Sequence, residues 1–423
     1  MKEVKEYKSI NKFDFTKNLE KKKYSIQFLP NQLIQESKTK HQFHKNQKIK
    51  SSYLIDIVHN LILKYYFKKD NVFNLSSIVL KEKYGHIYNY YIEYLVEKNI
   101  LILVKNHLKG KNARIYKLSD SVINGTITRY KNEDRTLLKK YKNAVSLITK
   151  EDIESNKILP EVKRKLVEDL FHIEIDYSRS LFFLDSTVQD TDIYNRNKYS
   201  VECINDKHIF YHFDNYGRMH TNFTILKSFI RKNCLLIDGE ETFEIDIKNS
   251  QPLFLCKLIE SDGKEIVDQS EYELFKYLTM NGKFYQYVID NSEIKVKKSI
   301  KECVYKVFFG KNYNNKHDTL FKKIFPTIHN FIKYYKKLKG GYKVLAYDLQ
   351  NLESDLVFNK IVNEVRMNYP EIHLITVHDS IICSKKYKDI VIDIFTEKLS
   401  NEFENEQKLE IINSEKFNIY TYV

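Results

Sequence analysis

The stretch Leu374–Cys383, LITVHDSIIC, sets two ionisable side chains, His378 and Asp379, inside an apolar and β-branched run. The alternation reads as strand, tight turn and strand. A carboxylate there is costly unless something compensates it, and a bound metal ion is one such partner. A second stretch has the same character. In Phe243–Pro252, FEIDIKNSQP, Asp246 interrupts the apolar alternation Phe243, Ile245, Ile247, and a polar bend then opens a helix. If these strands are neighbours, two carboxylates converge on one spot. Like charges so close repel unless divalent cations lie between them. Strands near 242–247 and 374–384, separated and followed by long helical stretches, indicate an α+β layer.

Working outward, KVKKSIKECVYKVFFGKN spaces Lys297, Lys301, Tyr305 and Phe309 four apart, with Gly310 next. Four-residue spacing puts them on one helix face. Two cations and two rings on a stripe suit a nucleoside triphosphate; an amphipathic helix with its rings in a core gives the same pattern. Upstream, HIFYHFDNYGRMHTNFT reads as a strand and turn, and KILPEVKRKLVEDLF as a helix opened near Pro160.

The first half is less informative. Residues 1–50 are rich in Lys, Asn and Gln and read as a basic, flexible arm. Residues 51–120 carry three helical patterns followed by strand, turn and strand, which resembles a winged helix-turn-helix. Its wing would carry Lys109, Lys111 and Arg114 to phosphates, and its 86–98 helix would enter a groove. A small helical module used for protein contacts fits the same pattern. Residues 121–200 read as a helical, polar linker or thumb-like region, and 201–423 as the α+β part.

Composition bounds the function class. The chain has 423 residues and a formal charge of +14, an excess that suits a nucleic-acid partner before a membrane surface. An AT-rich coding composition explains part of it, since Lys, Asn, Ile and Tyr dominate and Trp is absent. The five cysteines are far apart and no CxxC or Cys/His cluster appears, so neither zinc nor a disulfide framework is expected. No signal-peptide pattern opens the sequence, and no apolar run is long enough to cross a bilayer. A cytoplasmic protein without membrane contact is the expectation.

Together the motifs resemble those of the right-hand polymerase superfamily of family A DNA polymerases and phage-type single-subunit RNA polymerases, over about 205–423. Asp246 matches the metal-binding Asp of motif A. Lys297, Lys301, Tyr305, Phe309 and Gly310 fall on the spacing of motif B. His378-Asp379-Ser380 resembles motif C. Asp214, Gly217 and Arg218 resemble the DxxGR element of the RNA enzymes. Arg231 matches an arginine before motif A, and Gln350 and Asp355 resemble a Gln-x4-Asp helix in which Gln touches template. The resemblance implies palm and fingers built on an antiparallel sheet with helices. It implies a phage, plasmid or other mobile-element polymerase with two Mg²⁺ ions (Mn²⁺ as a substitute) held by Asp246, Asp379 and the Ile247 carbonyl. Lys301 would bind the triphosphate and protonate pyrophosphate, Lys297 would help hold it, and Tyr305 and Phe309 would stack on the nucleotide. His378 would position the primer end.

Departures bear on the sugar. Phe309 replaces a usual Tyr, Lys297 a usual Arg, and Gln251 stands where the DNA enzymes carry a ribose-excluding Glu. Tyr305 and Gln350 lean towards DNA synthesis, whereas Ser380 and the Asp214–Arg218 element lean towards RNA. DNA synthesis is favoured. An RNA polymerase or primase-like enzyme, or a DNA-binding replication initiator with a non-catalytic palm, is the alternative.

Overall fold

The computed structural model describes residues 24–68, 70–106, 114–141, 160–214, 217–293, 297–312, 315–403 and 419–422. It is an α+β chain whose sheets are antiparallel wherever registers are resolved. Two units interleave along the sequence. The first comprises Met1–Ile158, Glu174–Tyr211 and Thr221–Ile230; the second comprises Leu159–Ile173, His212–His220 and Arg231–Val423. Among the described residues no helix is long and apolar enough to cross a membrane.

The first unit opens with β1 (Ser25–Pro30), then the hairpin β2 (His41–His44) and β3 (Gln47–Lys50), and α1 (Ser51–Lys68). These are followed by β4 (Phe73–Asn74), α2 (Ser77–Tyr84), α3 (Tyr88–Glu97), β5 (Leu101–Lys105) and β6 (Ile115–Leu118). The last three strands form one sheet in the order β4-β6-β5. The described part of the expected arm is therefore strand rather than flexible chain. β1 pairs antiparallel with β7 (Ile127–Asn132), Ser25 opposite Asn132 and Pro30 opposite Ile127. Phe28, Leu33 and Ile49 join the same core as Leu54, Val58, Leu95 and Leu118. Apolar residues supply enough burial to hold a chain that is polar on average. The 121–200 region also departs from a helical linker: β7 belongs to this unit, and α4 (Thr191–Asn205) packs on it, with Asn195 donating to the Tyr66 hydroxyl at 2.9 Å.

The second unit is built on β8 (Leu235–Ile237), β9 (Glu240–Ile247), β10 (Ile375–Val377), β11 (Ser380–Ser384) and β12 (Ile419–Tyr422). β9 lies at the centre, antiparallel to β11 on one side and to β8 and β12 on the other. Its inward residues Phe243, Ile245 and Ile247 are fully buried. After Asn249, whose φ of 61° is left-handed, the chain turns into α5 (Ser250–Asp262). α5 is buried along its first two turns through Leu253, Phe254, Leu255 and Cys256. Two further helices flank the sheet's polar end, α6 (Lys297–Phe309) and α7 (Tyr342–Ser354). α7 runs on as a π-helix over Asp355–Val362, a widened turn often found near functional sites.

Candidate active-site cleft

The hairpin that carries His378 and Asp379 has a two-residue turn. Val377 pairs with Ser380, so His378 and Asp379 are its tip, and His378 takes a left-handed φ of 57°. Positive φ at a two-residue turn matches the twist of the flanking strands. In β9, Asp246 lies opposite Ser380. That register delivers the two acids, 133 positions apart in the sequence, to the same end of the sheet.

Both line a cleft of about 600 Å³. Its walls include Arg218, Ile247, Gln251, Tyr285, Lys301, Tyr305, Phe309, Gln350, Glu353 and His378. α6 faces the cleft with one stripe and the core with another. Ile300, Val304, Val307 and Phe308 are buried, whereas Lys301 and Tyr305 are exposed. The Tyr305 and Phe309 rings stack at 5.5 Å, and the Lys301 ammonium lies 5.3 Å from the Tyr285 ring centre. The buried Lys336 ammonium fixes the far end of this helix by donating to the Val307 carbonyl at 2.6 Å and the Gly310 carbonyl at 2.9 Å. A cation at a helix C-terminus also meets the negative end of the helix dipole.

The sequence reading overlooked Glu353. It lies three residues after Gln350 on α7, and that spacing alone puts it on the same face. It is 1% exposed. Its carboxylate accepts from the Ser250 hydroxyl at 2.5 Å and from the Gln251 amide at 2.7 Å, and it pairs with the Arg218 guanidinium. Gln251 and Arg218 are therefore tied to one acid.

The electrostatics are uneven. Asp169, Glu244, Asp318 and Glu353, all buried, have cationic partners in Arg366, Arg231, Lys333 and Arg218 respectively. No ion pair to Asp246 or Asp379 occurs among the described residues. Burial pushes the Asp246 carboxyl up to about 6, with repulsion from Glu244 and Glu353 adding to it. Burial also raises Asp379 well above the usual carboxylate range, with Glu353 and Asp246 contributing. His378 lines the cleft and remains exposed. Desolvation, then the charges of Arg218, His220 and Arg231, lower it to about 4, so the imidazole is neutral at pH 7.

Several sequence candidates lie elsewhere. Arg231 is buried with its guanidinium on Glu244 at 2.8 Å, so in this conformation it braces β9 instead of facing a template. Asp214 accepts from the Arg218 backbone N–H at 3.0 Å and meets His220 Nε2 at 2.9 Å, which makes it a brace of the turn. Gly217, at φ 85°, supplies the left-handed position of that turn. Gly310 ends α6 outside the cleft wall; a Cβ there would lie 2.3 Å from the Lys306 carbonyl oxygen. Lys297 opens α6, and only its backbone is described. Asp355 meets Lys360 at 3.6 Å.

In the first unit, Lys109 and Lys111 lie outside the described residues, and Arg114 is exposed just before β6. The 86–98 helix is expected to enter a groove, and the described helix α3 is flanked by acid. α3 carries no Lys or Arg. Its Glu93 pairs with Lys45 at 2.8 Å and with His44 at 3.6 Å, and Glu97 pairs with His44 at 3.2 Å. The β2–β3 hairpin covers that flank, and the carboxylates would repel phosphates.

No model of a known protein family matches this sequence, and no characterised protein matches it significantly.

Proposed function

We propose that the cleft of the second unit is a nucleotidyl-transfer site, and that the chain is a template-directed nucleic acid polymerase of the right-hand type, with DNA synthesis favoured. The observation that carries this is the pair Asp246 and Asp379. Two desolvated carboxylates share one cleft, neither in an ion pair among the described residues, while the ammonium of Lys301 and a stacked pair of rings line the same space. Carboxylates so disposed fit hard divalent cations. Asp246, Asp379 and the Ile247 carbonyl are the residues that would hold them. Two Mg²⁺ ions there, or Mn²⁺ in their place, would neutralise the acids and activate an attacking hydroxyl.

The chain's own groups divide the remaining work. Lys301 meets the triphosphate and gives a proton to the leaving pyrophosphate. Tyr305 and Phe309 stack on the base and sugar. The neutral imidazole of His378 steadies the primer end without adding charge. Gln350 reaches the template. Gln251, held by Glu353 at 2.7 Å, stands over the sugar position. That pairing returns a carboxylate to the neighbourhood where the DNA enzymes carry a Glu, which supports a preference for deoxynucleotides. In the first unit, the helix and strand order of 51–118 is that of a winged helix, and the acidic flank of α3 supports a role in protein contact.

The test is extension of a primed template with Mg²⁺ and each nucleotide set in turn. Extension should be lost in Asp246→Ala and in Asp379→Ala. If both variants extend as the wild type does, the reading fails.

A further inference from the structure

A second constellation lies in the same unit and is unrelated to the cleft. His172 follows the helix Glu161–Asp169, Asp238 sits at the β8–β9 turn, and His373 precedes β10. Among the described residues their donor atoms all lie within 4.8 Å of one another. His172 Nδ1 is 2.6 Å from one oxygen of Asp238, and His373 Nε2 is 3.6 Å from the other. The two imidazoles stack with centres 3.5 Å apart. Asp238 has a left-handed φ of 54°, so the tight turn itself holds this carboxylate.

We propose that His172, Asp238 and His373 form a binding site for one Zn²⁺ ion. Zn²⁺ takes imidazole nitrogen and carboxylate oxygen at about 2.0–2.2 Å in a tetrahedron, which requires donors about 3.3 Å apart. The separations of 2.6 and 3.6 Å, made to different oxygens of Asp238, lie on either side of that spacing, and the two stacked rings must turn about their Cβ–Cγ bonds for both nitrogens to point at one ion. Two imidazoles and one carboxylate favour a borderline transition metal over Mg²⁺. The fourth position is left for water.

The outer groups carry the argument further. His373 Nδ1 is hydrogen-bonded to Asp169 at 2.9 Å, which leaves Nε2 as the outward donor. Asp169 is itself 3% exposed and held by the Leu374 backbone N–H at 2.9 Å and by the Arg366 guanidinium. A carboxylate that orients a histidine in this way is a regular companion of metal-ligating imidazoles. The ligands are reachable: their side chains are 26%, 38% and 22% exposed for His172, Asp238 and His373. The site is also remote from the cleft. Asp238 and Asp246 are separated by eight residues, most of them in strand, or roughly 25 Å at strand rise. Its position at the junction of three separate segments gives the ion a structural role, clamping the 161–173 segment to the sheet.

The test uses the full chain, freed of metal with a chelator and then titrated with Zn²⁺ in the presence of excess Mg²⁺, which occupies the carboxylates of the cleft. Bound metal is counted by elemental analysis after gel filtration. One Zn²⁺ per chain is expected, with a rise in the thermal unfolding midpoint. Co²⁺ in its place should give the visible absorption of a four-coordinate site. His373→Gln and Asp238→Asn should each weaken binding at least tenfold, and Asp169→Asn by about 10–100-fold through the lost orientation of His373. Asp246→Asn and Asp379→Asn should leave it unchanged, which separates this site from the cleft. His172→Ala provides the variant least able to disturb the core. Absence of stoichiometric Zn²⁺ in the wild type, or wild-type affinity in His172→Ala, overturns the proposal.

Discussion

Replacing Asp246 by Asn should stabilise the metal-free protein while abolishing the proposed nucleotidyl transfer. Its carboxyl is raised from an ordinary value of 3.8 to about 6, so the folded chain resists ionising it. The resulting destabilisation is absent below pH 3.8, grows between 3.8 and about 6, and is complete above that interval. Two pH units correspond to about 3 kcal/mol, and water reaching the acid through the cleft lowers this towards about 2 kcal/mol. Among the described residues no hydrogen bond or ion pair depends on this carboxylate, so its removal sacrifices little. Its loss also relieves Asp379, which feels Asp246 as a like charge. The assay is denaturant unfolding in the presence of chelator at pH 8 and pH 4.5. Asp246→Asn should exceed the wild type by about 2 kcal/mol at pH 8, and the gap should narrow at pH 4.5 as the wild-type acid takes up its proton. Added Mg²⁺ should stabilise the wild type and not the variant. A variant no more stable than the wild type at pH 8 would refute the view that burial and the neighbouring Glu244 and Glu353 charges destabilise the Asp246 carboxylate.

Other substitutions have distinct signatures. Glu353→Ala should have the opposite sign from Asp246→Asn, losing about 1–3 kcal/mol in the same unfolding assay, because the buried Ser250 and Gln251 groups and the half-buried Arg218 lose their acceptor. Lys301→Met should lower the nucleotide incorporation rate by about 10²-fold or more with an unchanged unfolding midpoint, since a proton donor is lost from an exposed position. Gln251→Ala should narrow the ratio of deoxynucleotide to ribonucleotide incorporation in single-turnover extension; an unchanged ratio would remove Gln251 from sugar selection.

What the sequence made legible was local. The strands around Asp246 and Asp379 could be read because apolar alternation and a polar break lie within ten residues of one another. The stripe Lys301, Tyr305, Phe309 could be read because helix spacing is also local. What brings the acids together is the register of β9 on β11, and pairing across 133 positions leaves no local trace. β1 was misread for the same reason, its partner β7 lying about a hundred residues downstream. Glu353 was visible in LQNLESD as a helix residue, but nothing in that stretch announces the Ser250, Gln251 and Arg218 groups that converge on it. The charge of α3 was readable from Glu93 and Glu97 directly; the winged-helix pattern outweighed it.

The second unit treats its acids in two ways, and the difference separates scaffold from site. Glu244 and Asp246 are two residues apart on β9, so their side chains leave the same face of the strand. Glu244 receives Arg231 at 2.8 Å and the Ser380 hydroxyl at 3.0 Å, which offsets its burial. Asp246, one step nearer the cleft, receives neither. Arg231 and Lys232 offset its burial only in part, and no ion pair to it occurs among the described residues: Arg231 is engaged by Glu244, and Arg218 by Glu353. A chain selected for stability alone would neutralise this position or replace it with an apolar residue, as at Ile245 and Ile247 on the same strand. Retaining two carboxylates that have no ion pair among the described residues, beside a buried and fully engaged third, costs the folded state free energy at neutral pH. The cation-dependent activity proposed for this end of the sheet would account for that cost, because a divalent ion bound there would recover the free energy lost to the two acids.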